Sequence, residues 1–91
     1  MKESLIEKHL IATVKARGGF TRKVVYQGRK GAPDRWCFFP NGKLVIIELK
    51  KLGEKPRIDQ EVEIEKLREM GQRVFVVDCK EQIDALWARM L

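Results

Sequence analysis

Several things are scarce in this chain, and each scarcity removes a class of protein. There are only two cysteines, Cys37 and Cys79, with no CxxC spacing, so a zinc ribbon and a disulfide-stapled scaffold are both excluded. One histidine, His9, cannot build a histidine-rich metal centre; it lies off the apolar side of its own helical segment and reads as a surface residue, so a catalytic thiol has no evident histidine partner. No uncharged apolar run approaches the roughly 18 residues of a membrane span, and Leu44–Ile47, with four, is as long as any. The first residues carry Glu3, Glu7 and His9 and lack a signal peptide's apolar run, so a soluble, cytoplasmic protein is expected. No Walker loop, dinucleotide fingerprint or serine-nucleophile elbow occurs. There are 91 residues, enough for one domain with a thin core, and no repeat or linker divides them. Disorder is excluded by a 44% apolar content that is well patterned.

Positive charge is plentiful and unevenly placed. The net charge is +6, yet the stretch Lys15–Arg57 alone holds twelve bases against three acids, Asp34, Glu48 and Glu54. A middle stretch at +9 is an electrostatic footprint for a polyanion such as a nucleic-acid backbone, or else a solvated basic surface.

The pattern of elements is αβββαβα, a mixed α/β domain. Ser4-Leu5-Ile6-Glu7 reads as a capping box, and Ile6, Leu10, Ile11 and Val14 form the apolar side of a helix that Gly18-Gly19 ends. Residues Phe20–Tyr26 read as a strand and Gly28–Pro33 as a loop. Strands at Asp34–Phe39 and Lys43–Lys50 flank Pro40-Asn41-Gly42, and Leu52–Pro56 is a second loop. Residues Arg57–Met70 read as a helix between Pro56 and Gly71, and Arg73–Val77 as a strand. A last helix is capped by Asp78 and buries Ile83, Leu86, Trp87 and Met90.

The hairpin turn decides which carboxylates can meet. A two-residue turn would set Asp34 opposite Leu49; a three-residue loop pairs Phe39 with Lys43 and sets Asp34 opposite Glu48. The residues favour the second, with proline at the first turn position, asparagine next and glycine in the left-handed position. Opposed residues share a sheet face with Cβ atoms ~4.5–5.5 Å apart, and Lys50, two residues beyond Glu48, joins them. Two adjacent carboxylates raise each other's pKa unless a cation lies between them, and Mg²⁺ fits because it prefers oxygen and keeps waters for a phosphate. The plainer alternative is a cross-strand carboxylate–lysine pair on a solvated face. Glu48 speaks against it, since its strand, Leu44–Leu49, is otherwise apolar.

Glu7 falls within the buried stripe of its helix, either as half of the capping box or as a further carboxylate near the metal. Gln60 shares the face of Ile64 and Leu67, either as a satisfied core amide or as a site residue. Cys37 and Cys79 read as small strand or strand-end residues, and Trp36 and Trp87 as core or interface rather than stacking platforms.

These residues resemble a known family. Gly31-Ala32-Pro33-Asp34 followed by Glu48-Leu49-Lys50 looks like the PD-(D/E)XK nuclease signature. With the Glu7 helix, Gln60 and the segment Glu69–Val77, the chain is similar to the stand-alone form of the virus-type replication-repair nuclease (VRR-NUC) domain, from Glu7 to about Ile83. The resemblance implies a restriction-endonuclease-like αβββαβ(α) core with a central mixed sheet, spanning 1–91 as one domain. It implies a Mg²⁺- or Mn²⁺-dependent endonuclease hydrolysing DNA phosphodiesters. Asp34, Glu48 and the Leu49 carbonyl would hold the metal with Glu7 beside them, Lys50 would be the catalytic lysine, and Gln60 would support the site. Stand-alone members resemble Holliday-junction resolvases, homodimers acting on branched DNA in bacterial or virus-infected cells. The related RecB-like pattern has a tyrosine four residues after the glutamine, where this chain has Ile64. Arg29, Lys30, Lys51, Lys55 and Arg57 flank the site and are the candidate DNA contacts, and Trp87, Met90 and Leu91 are candidates for a dimer interface. The rival readings are a nucleic-acid-binding module without catalysis and a restriction- or nicking-type nuclease.

Overall fold

The computed structural model describes residues 2–90. Its elements are α1 (Glu3–Ala16), β1 (Phe20–Lys23), β2 (Arg35–Phe39), β3 (Lys43–Leu49), α2 (Ile58–Glu69), β4 (Arg73–Val77) and α3 (Lys80–Met90), with a short 3₁₀ turn at Pro40–Gly42. One sheet runs in the order β1-β2-β3-β4, antiparallel across the first three strands and parallel between β3 and β4. The mixed α/β core expected from the sequence is therefore present.

Helices cover both faces of the sheet. Ile6, Leu10 and Val14 of α1 and Ile83, Leu86 and Trp87 of α3 pack with Cys37, Phe39, Val45, Ile47, Leu49 and Val77 in the larger core. On the opposite face, Ile64 of α2 packs on Ile46 and Val74, with Trp36, Leu44, Leu67 and Val76 around them. Strand β3 lies between the two layers, so residues of both parities are buried from Val45 to Leu49. That is why its sequence is nearly continuous in apolar residues after Lys43, and why the one buried charge within it, Glu48, stands out.

The two helices on the first face are tied by polar contacts. The Trp87 indole N–H donates to Thr13 Oγ1 (2.9 Å), and His9 Nε2 lies 2.7 Å from Asp84 Oδ1. Trp87 also meets Phe39 edge-on, with ring centroids 5.0 Å apart. It is only 1% exposed, so it is a core residue and is unavailable to a dimer interface. Met90 is partly buried against the same core, and Leu91 lies outside the described residues.

Other local expectations shift. α1 begins at Glu3 after Lys2 with no side-chain cap, so Ser4 and Glu7 form no capping box. Ile11, assigned to the apolar stripe, is exposed. β1 stops at Lys23 rather than Tyr26, although the Val24 N–H still donates to the Asp34 carbonyl (3.2 Å). At the hairpin Asn41 takes the left-handed conformation (φ 68°) as well as Gly42 (φ 76°), a region asparagine tolerates better than most residues. The pairing is nevertheless that of the three-residue loop, Phe39 with Lys43. Asp78 does not cap α3: its carboxylate accepts the Gly53 N–H (2.9 Å), and its own N–H donates to Gln82 Oε1 (2.7 Å). At Gly19 the chain leaves α1 so close to β2 that a Cβ would stand 2.2 Å from the Phe38 carbonyl oxygen, which only glycine allows.

Candidate active site

Register places the acids. Arg35 pairs with Ile47, so Asp34, one residue earlier, stands opposite Glu48, one residue later. Asp34 itself lies just before β2, and its Oδ2 reaches across to accept the Leu49 N–H (2.8 Å). By the same register Leu49 stands opposite Pro33, which has no N–H. The Lys50 N–H turns the other way, to the Val77 carbonyl on β4 (3.0 Å). The Leu49 carbonyl thus faces the β2 side at the one position where the ladder has no backbone donor for it.

Glu48 is the centre of the arrangement. It is 1% exposed. Its Oε2 accepts the Gln60 Nε2–H (2.8 Å) and lies 3.3 Å from Lys50 Nζ. Both donors crowd the same oxygen. The other, Oε1, is buried with no hydrogen-bond partner. Burial, and after it the negative charge of Asp34, raise the Glu48 carboxyl from 4.5 to about 7, against the opposing pull of Lys50 and the Asp34 backbone N–H. A carboxylate so placed has its negative charge uncompensated on one side.

Gln60 is a buried amide with both ends satisfied. Its Oε1 accepts the Arg57 N–H (2.9 Å), closing the first turn of α2, while its amide N–H fixes Glu48. Lys50 is 7% exposed and also lies 4.0 Å from Glu54, whose loop is held by the Gly53–Asp78 contact.

Glu7 is engaged elsewhere. Its Oε2 accepts Arg35 Nε–H (3.0 Å), and Arg35 in turn donates to Thr21 Oγ1 (3.3 Å). Arg35 alternates with Asp34 along the chain, and Cys37 and Phe39 of its parity face α1, so this pair belongs to the α1 side of the sheet. Among the described residues no three histidine, cysteine, aspartate or glutamate side chains converge as a metal cage. What the structure does offer a divalent cation is two carboxylates, one with an orphaned buried oxygen, and the Leu49 carbonyl. A set this small suits an ion such as Mg²⁺, which takes few protein ligands and keeps waters for a phosphate.

A second cluster escaped the sequence reading. Glu63 of α2 is buried at 9% exposure, accepts the Tyr26 hydroxyl (2.6 Å) and lies 3.5 Å from Arg29. Burial, then the Glu63 bond, raises the Tyr26 phenol to about 12. Gly31 (φ 99°) lies where a Cβ would be 2.8 Å from the Asp59 carbonyl oxygen. The loop leading to Asp34 is thereby clamped on α2, the helix that also carries Gln60. Of the candidate DNA contacts, Lys30, Lys51 and Lys55 are exposed, Arg29 is shared with Glu63, and Arg57 pairs with Asp59 (3.2 Å). Cys37 is buried, which raises its thiol to about 12 and makes it a core residue rather than a nucleophile.

Comparison with known proteins finds similar chains. No family model matches the chain. A phage protein, "Putative nuclease p44" of Acyrthosiphon pisum secondary endosymbiont phage 1, is 42% identical over 81 residues, covering 89% of this chain and 87% of that protein. A solved structure described as "VRR_NUC domain" superposes with a TM-score of 0.93 at 36% identity, covering 98% of this chain and 97% of the other.

Proposed function

Because the chain belongs to the VRR_NUC nuclease family, we propose that it is a divalent-metal-dependent DNA endonuclease selective for branched structures, acting as a homodimer in the cytoplasm of a bacterial or virus-infected cell. The observation that carries the metal site is Glu48 Oε1: a buried carboxylate oxygen without a partner, beside a second carboxylate and a carbonyl that the ladder leaves free. Asp34, Glu48 and the Leu49 carbonyl would hold Mg²⁺ or Mn²⁺. When bound, such an ion supplies Lewis-acid polarisation of the scissile phosphate and of the attacking water.

The protein's own groups divide the remaining work. The Leu49 N–H locks one Asp34 oxygen, so that the other is presented in a fixed direction. Gln60 fixes Glu48 in the same way. Lys50 carries a buried ammonium next to the acids, where it orients the attacking water or offsets the charge that builds on the phosphate. Lys30, Lys51 and Lys55, with Arg29 and Arg57, hold flanking phosphates, a contribution that weakens as salt rises. Glu7 acts through Arg35 rather than at the ion. A dimer, which cutting two strands symmetrically favours, presents two such sites.

The test is a panel of four-way junction, flap and linear duplex at matched salt, with Mg²⁺ or with EDTA. Cleavage in Mg²⁺ alone, strongest on branched DNA, is expected. Asp34→Asn and Lys50→Ala should abolish it while largely sparing DNA binding. Wild-type-like cleavage by either variant would remove the site assignment. Preference for one linear sequence would convert the reading to a restriction-type enzyme. A monomer in sedimentation at micromolar concentration would refute the dimer.

A further inference from the structure

The face of the sheet that carries Asp34 and Glu48 is not covered along its whole width. Helix α2 packs over β3 and β4, through Ile64 on Ile46 and Val74. Toward β1 the same face bears Phe20 and Arg22 opposite Phe38 and Trp36. Phe20 is 51% exposed, Arg22 is exposed, and Phe38 and Trp36 are half-buried. Phe20 and Phe38 stack, with ring centroids 5.3 Å apart at 28°. The Arg22 guanidinium rests 4.4 Å from the Phe20 ring centroid.

We infer that this open strip, Phe20, Phe38 and Arg22, binds an unpaired segment of the DNA substrate, its bases stacking on the rings and its phosphate taken by Arg22. The inference rests on the nuclease reading and narrows its substrate to DNA with a single-stranded stretch beside the cut. Three observations carry it. The strip is continuous with the catalytic residues: Phe38, Trp36 and Asp34 share one face of β2, Phe38 roughly 13 Å from Asp34. Its charge suits a polyanion: the β1–β2 residues of this face are aromatic or basic, and the first acid met is Asp34 itself. Its chemistry suits free bases: bases inside a duplex are already stacked on one another, whereas an unpaired base gains a partner from an exposed ring. Arg22 occupies that ring in the free protein. An exposed cation–π contact is weaker than base stacking, so an incoming base displaces the guanidinium toward the neighbouring phosphate.

Binding is measured by fluorescence anisotropy in EDTA, with labelled oligo(dT) of about 16 nucleotides, a typical single-strand site size, and a blunt duplex of equal length. Phe20→Ala is expected to weaken oligo(dT) binding about 5- to 150-fold, the loss of one stacked base, while the duplex loses little. Phe20→Trp should retain oligo(dT) binding. Arg22→Gln should lower the slope of log affinity against log salt by about one phosphate contact. Equal losses for oligo(dT) and duplex, or no loss for either, would overturn the proposal. So would a Phe20→Ala protein that sediments as a monomer where the wild type is a dimer with oligo(dT) affinity unchanged, since the strip would then cover a second copy of the chain. Melting temperature checks that each variant is folded. Phe20-dependent oligo(dT) binding without any Mg²⁺-dependent cleavage would keep the strip and sink the nuclease reading; cleavage with Phe20-independent binding would do the reverse.

Discussion

In metal-free buffer, raising the pH from about 5 to about 8 should cost the wild-type protein more stability than it costs the Glu48→Gln variant. Glu48 is buried beside Asp34, and its carboxyl ionises near 7 in the folded chain instead of 4.5. Between those values the folded state holds a proton that the unfolded state has released, so stability falls as the pH rises through the window and levels off above it. A displacement from 4.5 to about 7 corresponds in full to about 3 kcal/mol, most of it between pH 5 and 8. That is a large share of the roughly 5–15 kcal/mol that holds a small domain together. Removing the carboxylate also removes Lys50's closest partner, so the informative quantity is the difference in slope between the two proteins. Urea denaturation followed by circular dichroism in EDTA at each pH measures it. With Mg²⁺ in excess the wild-type slope should become shallower, because ion binding favours the ionised carboxylate and is itself stabilising. Parallel profiles for wild type and Glu48→Gln would refute the assignment of a buried, uncompensated charge. An unchanged wild-type profile in Mg²⁺ would refute the ion site.

Three further outcomes are expected. Glu63→Ala should lower stability by about 1.5–3 kcal/mol, the range for hydrogen bonds to a charged group, and should move the Tyr26 phenol from about 12 toward 10 in an ultraviolet pH titration, which is unambiguous because Tyr26 is the only tyrosine. Gly31→Ala should destabilise the protein by at least ~1–3 kcal/mol and depress cleavage, since φ 99° is strained for a side chain and the new Cβ would meet the Asp59 carbonyl. Glu7→Gln should preserve the rise in melting temperature on adding Mg²⁺, because Glu7 is bound to Arg35; loss of that rise would place Glu7 at the ion.

The central hairpin was legible because local chemistry specifies it. Proline, asparagine and glycine in succession select a three-residue loop, the loop fixes the register, and the register sets Asp34 opposite Glu48. α2 was legible between Pro56 and Gly71, and Gln60 was legible as an inward amide from its helical spacing. Contacts between distant segments were not. Glu7 reads as half of a capping box or as a further carboxylate near a metal until Arg35, 28 residues away, is brought against it. Glu63 sits in a strongly charged helix, Glu61-Val62-Glu63-Ile64-Glu65, and only its contact with Tyr26 and Arg29 separates it from its exposed neighbours. The exposure of Phe20 was equally hidden, because a β-rich segment looks the same whether or not a helix covers it.

Much of the site follows from backbone bookkeeping around one proline. An ordinary residue at position 33 would offer an N–H to the Leu49 carbonyl, and β2 and β3 would continue pairing past the acids. Pro33 cannot donate, so the ladder opens there. The Leu49 N–H is taken by the Asp34 side chain rather than by a backbone carbonyl of β2, which ties the aspartate to the same residue whose carbonyl is freed. Gly31, two residues before Pro33, lets this segment press against α2, and α2 returns Gln60 to the Glu48 side of the opening. Thus the glycine, the proline and the aspartate of Gly31-Ala32-Pro33-Asp34 each remove or redirect one backbone interaction. Their joint effect is to turn the end of a regular hairpin into a cluster of oxygen atoms beside a buried lysine.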